Sequence, residues 1–493
     1  MRKSLPIFYS ALLLTGVNLL LRFVSTSFQV YISGRIGTEG VGLLQLVLSV
    51  GGLAMTAGMG GIRTATMYLT AEELGRKNTH NITWVLRGCF LYSVCFSGTI
   101  ALLLHFSAPF LAAHWIGNPR TVDAIRIFAK FLPLVCLTGC MTGYFTAANR
   151  ITTLAGIEIL EQLCYMTVTM LTLVLWAGSD PEKACEAVVL GSGVSSCLTL
   201  GLLLSLRFRE EAPKGSRIPV ARRLAGIAVP LALADDLKAG ISTTENLIVP
   251  KRLALYPGEL APLSTFGTVV GMVFPVLMFP AAILFALAEL LIPELARCAA
   301  ANSQRRIRYL VRRGLRVALL YGLLCGGILY LSAEALCLSL YNNHDAGEYL
   351  RLYSLLAPML YCDAITDAMI KGLGQQTASV RYNIFTSAMD VALLFILLPK
   401  FGMGGYFFSF LVTHAINFLL SLHRLLKISR IRLPYASIAL ALGACLVSLY
   451  FAKTLPPAPG ITAFVLLFAS LMILFRIINR SDILWLKGLI SRK

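Results

Sequence analysis

Charge is scarce in this sequence. Only 14% of its 493 residues are Asp, Glu, Lys or Arg, where soluble domains carry roughly 25%. The 6 histidines are scattered and form no cluster, and none of the 12 cysteines is paired at C-x-x-C spacing, so no zinc, haem or disulfide framework is expected. Cys89, Cys95, Cys136, Cys140 and Cys164 sit in apolar runs, where cysteine serves as a small packing residue. There is no G-x-x-x-x-G-K-[ST] loop, H-E-x-x-H helix, G-x-S-x-G elbow or kinase set, which argues against ATP hydrolysis and the commonest catalytic centres. Long polar stretches are missing as well, leaving no room between apolar runs for a soluble catalytic domain. Neither catalytic residues nor a cofactor is expected.

Apolar sequence is what the chain has in abundance. Hydrophobic residues make up 57%, the mean hydropathy is +0.76, and apolar runs of about 18–25 residues, long enough to cross a bilayer core, recur from end to end. The pattern predicts an all-α, polytopic membrane protein with about fourteen transmembrane helices. They fall near 5–33, 43–70, 82–104, 124–147, 153–177, 185–206, 224–250, 264–294, 314–332, 350–373, 379–398, 403–423, 434–452 and 461–478. The run from Leu5 to Ser33 follows Arg2 and Lys3, is too long for a signal h-region and has no small-residue cleavage site after it. It is expected to remain as the first helix.

The net charge of +19 does not point to nucleic acid, because of where the cations lie. With the amino terminus inside, roughly 29 of the Lys and Arg fall on the cytoplasmic side, about 10 on the outer side and about 4 within spans. The basic clusters run from Arg207 to Arg223, Arg297 to Arg316, Arg424 to Arg432 and Arg476 to Lys493, whereas Asp180 to Glu186 and Asn342 to Glu348 are neutral or acidic. Both termini are therefore expected in the cytoplasm.

The chain also repeats itself. A shift of about 225 residues sets Arg126 on Arg351, Pro133 on Pro358 and Ala147 on Gly372. Each copy holds six spans, an even number, so the copies share one orientation and are related by an axis along the membrane normal. The expected domains are an amino-terminal six-helix lobe at 1–210, a second at 224–430 and a helix hairpin at 434–480. Two like-oriented lobes with a cavity between them make an alternating-access transporter body. Thr138, Thr142 and Thr146 recur every four residues on one face of the fourth span; at the same shift stand Asp363, Asp367 and Lys371, a charged ladder in the tenth.

A charge at mid-bilayer costs at least about 2.5–3.5 kcal/mol on insertion scales, so each one in a span marks a candidate site. Arg22 lies in the middle of the first helix with Asn18 one turn earlier; Arg35 marks that helix's end, and Arg63 follows Gly58-Met59-Gly60-Gly61. These are candidate substrate-binding residues, against the plainer readings of a structural ion pair for Arg22 and interfacial snorkelling for Arg35 and Arg63. The seventh span carries Asp235, Asp236, Lys238, Thr243, Thr244, Glu245 and Asn246; such a helix must line water or protein, not lipid. Asp235, Lys238, Glu245 and Asn246, with Asp363, Asp367 and Lys371, are the candidate cavity and coupling residues. Glu158, Glu161, Glu289 and Asp390 are weaker candidates, and Glu294 reads as a helix-end partner of Arg297.

Three segments carry a family resemblance. Ile32-Ser33-Gly34-Arg35-Ile36-Gly37-Thr38-Glu39-Gly40-Val41-Gly42, followed by Gly58 to Arg63 and Tyr68-Leu69-Thr70-Ala71-Glu72, resembles the amino-terminal signature of stage V sporulation protein B-type flippases. These belong to the multidrug/oligosaccharidyl-lipid/polysaccharide exporter superfamily. Leu291-Ile292-Pro293-Glu294-Leu295-Ala296 and Gly372-Leu373-Gly374-Gln375-Gln376 match further along. Where the family has a small-residue Ile-Pro step, this chain has Ile62-Arg63, a departure that bears on Arg63.

The resemblance implies an exporter in the bacterial cytoplasmic membrane that moves undecaprenyl-diphosphate-linked sugars or peptidoglycan precursor to the outer leaflet, for spore cortex or cell wall. Lipid II flippases are similar in having essential cavity arginines on early helices, a pattern that transfers best to Arg22 and Arg35. The partners so implied are a lipid-linked glycan, membrane lipids, a coupling Na⁺ or H⁺ and cell-wall synthesis enzymes. The rival expectation is a cation-coupled multidrug exporter of the same superfamily, for which Asp235, Glu245 and Asp363 supply acid but Arg22 is a poor neighbour for a cation.

Overall fold

The computed structural model describes residues 7–76, 81–178, 180–208, 220–431, 433–475 and 477. Most of the basic loop between Arg207 and Arg223, the carboxy-terminal cluster beyond 477, and Arg2, Lys3 and Lys77 lie outside the described residues, as does the side chain of Asn18. Every regular element among the described residues is helical. In order they are α1 (Ile7–Met59), α2 (Ile62–Gly75), α3 (Ile82–Phe110), α4 (Val122–Ala147), α5 (Ile151–Thr172), α6 (Pro181–Phe208), α7 (Val220–Leu253) and α8 (Pro262–Phe266). Then come α9 (Phe274–Met278), α10 (Ala281–Ala300), α11 (Gln304–Tyr341), α12 (His344–Ser354), α13 (Ala357–Gly372), α14 (Gln376–Ser429), α15 (Tyr435–Ala452) and α16 (Pro457–Leu474).

Among the described residues, 9 helices are long and apolar enough to cross a membrane, or 10 with the bent pair Pro262–Met278 and Ala281–Ala300. Two of them must each count twice. At 1.5 Å per residue, α1 and α14 would each run about 80 Å, against a hydrocarbon core of about 30 Å. Each is broken by a glycine in a conformation side chains resist: Gly37 at φ 69, ψ 176 and Gly402 at φ 54, ψ −138. Counting also α7 and α12–α13, whose charged residues dilute their hydropathy, gives about fourteen crossings. The outward faces fit this reading. Phe106, Leu175, Leu446, Leu466 and Leu474 are each more than 65% exposed, apolar surface that water would not tolerate and acyl chains cover.

The backbone itself carries the repeat. Three positive-φ landmarks recur at a spacing of about 225 residues: Gly117 with Asn342, Asn149 with Gly374, and Gly178 with Gly402. The second pair ends α4 and α13 in the same way. Arg150 N–H bonds Phe145 O at 3.0 Å and Gln375 N–H bonds Ile370 O at 3.0 Å, the closing bond of a left-handed helix cap.

By internal contact the chain divides into two compact units, Met1–Gly271 with Ser387–Tyr406, and Met272–Thr386 with Phe407–Lys493. In the first, Ile62, Leu69, Val85, Cys89, Cys140 and Leu224 form a core joining α2, α3, α4 and α7. Beside it Arg223, near the start of α7, reaches Glu72 at 2.5 Å and Glu73 at 3.4 Å, and Asn81 Nδ2 donates to Glu73 at 3.0 Å. Glu73 is 2% exposed. Removing its cation leaves a buried carboxylate with one amide donor, so Arg223→Ala should cost about 3 kcal/mol. Thermal unfolding of detergent-purified protein at fixed scan rate checks this: a melting point several degrees below wild type is expected, and an unchanged one contradicts the linkage. In the second unit, Leu323 of α11 packs with Cys445 of α15 and Phe464 and Phe468 of α16. Glu294 there pairs with Arg297 at 3.7 Å and Arg306 at 2.6 Å.

Candidate functional site

Three cavities in the first unit share their walls. One of about 460 Å³ is lined by Thr56, Met59, Arg63, Thr64, Asp235, Lys238 and Ser242. A second, of about 220 Å³, shares Met59 and Arg63 with it and adds Thr138, Thr142, Glu158, Glu161, Ser196 and Thr199. The third, of about 410 Å³, shares Glu158 and Glu161 and adds Gln162, Tyr165, Ser192 and Ser195. Arg63 stands where the first two meet, and it acts electrostatically on Glu158.

Local sequence explains the placement of Arg63. Gly60 and Gly61, at φ 47 and φ 69, end α1 and restart the chain as α2, so Arg63 begins a fresh helix instead of extending the old one. A Cβ at Gly143 would lie 2.4 Å from the Arg63 carbonyl oxygen; only glycine lets α4 approach α2 this closely. The hydroxyls opposite are partly self-satisfied. Thr138 donates to Leu134 O at 3.0 Å, and Thr142 to Gly139 O at 2.9 Å, leaving oxygen lone pairs available to the cavity. Glu161 lies against Ser196 and Thr199 of α6.

The polar residues of α7 divide among three tasks. Asp235 and Lys238 line the Arg63 cavity. Thr243 donates to Ser49 O at 3.0 Å and Asn246 Nδ2 to Ser49 Oγ at 3.0 Å, fixing α7 to α1. Glu245, two turns from Lys238, instead meets Asp390 of α14, the two carboxyls in hydrogen-bond contact beside the buried Tyr406. The contact sets two acids, one on α7 and one on α14, within reach of a single exchangeable proton or cation.

Arg22 is exposed on α1, next to Leu21 of the 410 Å³ cavity. Arg35 is exposed, with its guanidinium 5.7 Å from the Tyr31 ring centre. Neither lines the three cavities, so of the three arginines Arg63 alone is gathered into this chamber. The ladder on α13, in the second unit, is tied up locally. Lys371 pairs with Asp367 at 2.6 Å, Ser379 also bonds Asp367, and Asn417 Nδ2 donates to both oxygens of Asp363 at 3.1 and 3.2 Å.

The far wall carries a periodic signal of its own. Glu158, Glu161 and Gln162 are spaced i, i+3, i+4 on α5, and Ser192, Ser195, Ser196 and Thr199 run i, i+3, i+4, i+7 on α6. Both are one-face patterns within apolar helices. Ser49, Asn417 and Tyr406 carried no comparable signal.

Residues 8–222 match the family described as "Polysaccharide biosynthesis protein". The chain is similar to "Stage V sporulation protein B" of Bacillus subtilis (strain 168), 20% identical over 502 residues, covering 96% of each protein. Among solved structures it resembles a lipid II flippase, MurJ, in an inward closed conformation, with TM-score 0.70 at 12% identity, covering 95% of this chain and 100% of that one. It also resembles an inward-facing multidrug resistance MATE family transporter of the MOP superfamily, with TM-score 0.69 at 13% identity, covering 85% of this chain and 100% of the other. The fold is that of these transporters, and the likeness to the sporulation protein is the one its own motifs suggest.

Proposed function

We propose that this chain is a flippase for a polyprenyl-diphosphate-linked glycan, an oligosaccharide or peptidoglycan precursor carried from the cytoplasmic to the outer leaflet. The six-helix repeats at 1–210 and 224–430 act as alternating-access lobes, with the hairpin at 434–480 appended and both termini in the cytoplasm. The observation that carries this reading is Arg63, a cation in a membrane-embedded polar chamber lined by hydroxyls. A diphosphate does not cross lipid unaided, and guanidinium matches phosphate geometry with paired donors. In this scheme Arg63 holds the diphosphate, Arg22 and Arg35 receive or release it, the hydroxyl and amide walls take the sugars, and the polyprenyl tail stays in lipid. The similarity to the sporulation protein and to the lipid II flippase supports the substrate class.

The membrane potential favours this direction. It is inside-negative and contributes about 2.3 kcal/mol per charge per 100 mV, so two negative charges moved outward across the full field gain roughly 4–5 kcal/mol. Na⁺ or H⁺ coupling at the Glu245–Asp390 pair or at Asp235 adds to that.

Deletion in the native host should block synthesis of one wall or cortex polymer and cause its lipid-linked precursor to accumulate, identifiable by mass spectrometry. Complementation by Arg22→Ala should fail although the variant inserts normally; full complementation would remove Arg22 from the transport path. The acidic wall of Glu158 and Glu161 favours a second reading, a cation-coupled drug exporter like the MATE neighbours. Drug resistance on expression, with wall precursors unaffected, would select it.

A further inference from the structure

A second cluster of charge lies outside the chamber. Asp123, in the first turn of α4, and Glu182 and Glu186, one turn apart at the start of α6, bring carboxylate oxygens to within 4.8 Å of one another. Asp123 is exposed, but Glu186 is only 8% exposed, and among the described residues no hydrogen bond or ion pair reaches it. Its carboxyl is turned into the cluster with no donor to meet it. Three carboxylates in mutual reach, one of them on a residue with little solvent access, repel one another. The cations nearby do not resolve this. Arg126 stands 3.7 Å from Asp123, on the exposed member, and Lys183 is exposed and acts on Glu186 only through its field. Asp180 adds a fourth negative charge.

We propose that Asp123, Glu182 and Glu186 form a divalent cation site, suited to Ca²⁺, that joins the first turns of α4 and α6. The three oxygens lie within 4.8 Å of one another, near enough to ligate one cation, and the donor set supports the choice of ion. Three carboxylates from two helices suit the flexible, oxygen-rich shell of Ca²⁺, whereas Mg²⁺ keeps most of its waters and takes one or two carboxylates. The ligands come from two helices, with Asp123 and Glu182 at helix ends and water completing the coordination shell. In the proposed orientation this face lies outside the cell. The site does not depend on the flippase reading, and an exporter of either kind could carry it.

The test uses the full-length protein purified in detergent, stripped with EGTA and titrated with CaCl₂ and MgCl₂ by isothermal titration calorimetry and thermal unfolding. One Ca²⁺ per chain is expected, at least 10-fold tighter than Mg²⁺, with a melting point that rises with Ca²⁺ concentration. Glu186→Gln and Asp123→Asn should each lose the calorimetric signal and the shift, while Glu39→Gln, an exposed acid elsewhere, keeps both. If Glu186→Gln does not fold, Asp123→Asn, at an exposed position, decides alone. No binding by the wild type, or wild-type binding by Asp123→Asn, overturns the site; greater stability of Glu186→Gln with no Ca²⁺ binding in the wild type would assign Glu186 as a carboxyl held neutral.

Discussion

Replacing Arg63 by alanine should reduce transport of a diphosphate-linked lipid about 100-fold, corresponding to roughly 3 kcal/mol for a lost charge-assisted, two-donor contact. The loss is large because little else lining the Arg63 cavity can substitute. Of its neighbours there, only Lys238 is cationic, and Asp235 lies on the same wall. Arg63→Lys should recover only a small part, since a point charge does not reproduce the planar fork. The fold should be indifferent to either change, because the side chain is exposed to the cavity and not packed in the core. Uptake of a fluorescent lipid-linked precursor into proteoliposomes measures this, and transport within 3-fold of wild type by the alanine variant would contradict the role.

Glu245→Gln should uncouple transport from the driving gradient. The Glu245–Asp390 contact is the proposed place where a proton or a cation exchanges between α7 and α14 of the first unit. The amide preserves shape and hydrogen bonding but removes the exchangeable charge. Accumulation against a gradient should fall at least 10-fold and cease to respond to an imposed pH or Na⁺ difference, while downhill equilibration continues. Asp363→Asn is the informative comparison. Asp363 already takes two bonds from Asn417, and its replacement should leave the gradient response in place. The reverse pattern would move the coupling site to the second unit.

Much of the architecture is written in the periodicity of the chain. Apolar runs of membrane-spanning length locate the helices because lipid leaves the backbone no alternative. The break at Gly37 falls in the interval between the runs 5–33 and 43–70, where one is expected, but the break at Gly60 and Gly61 falls inside 43–70, which reads as a single span because its apolar pattern continues through the glycines. The charges of α7 marked it as a helix that cannot face lipid. What sequence did not yield is which of those charges meet. Glu245 and Asp390 are far apart in the chain and no spacing joins them; tertiary packing brings them together and leaves Lys238 in the Arg63 cavity. Glu158 and Glu161 looked like weak candidates because an isolated acid in a span has many explanations. Only the approach of α2, α4 and α6 makes them a cavity wall. The acids from Asp180 to Glu186 read as a loop of favourable charge, with no sign that Asp123 would join them.

The central claim is that a polar chamber around Arg63 carries a diphosphate headgroup across the bilayer, and purified protein in proteoliposomes tests it most directly. With precursor loaded in one leaflet and an enzyme or lectin probe confined to the other side, wild-type vesicles should expose the glycan within minutes, faster when the potential drives anions toward the probe, and Arg63→Ala vesicles should not. Vesicles that leave the glycan protected while exporting a lipophilic cation would contradict the account and identify the protein as a drug exporter.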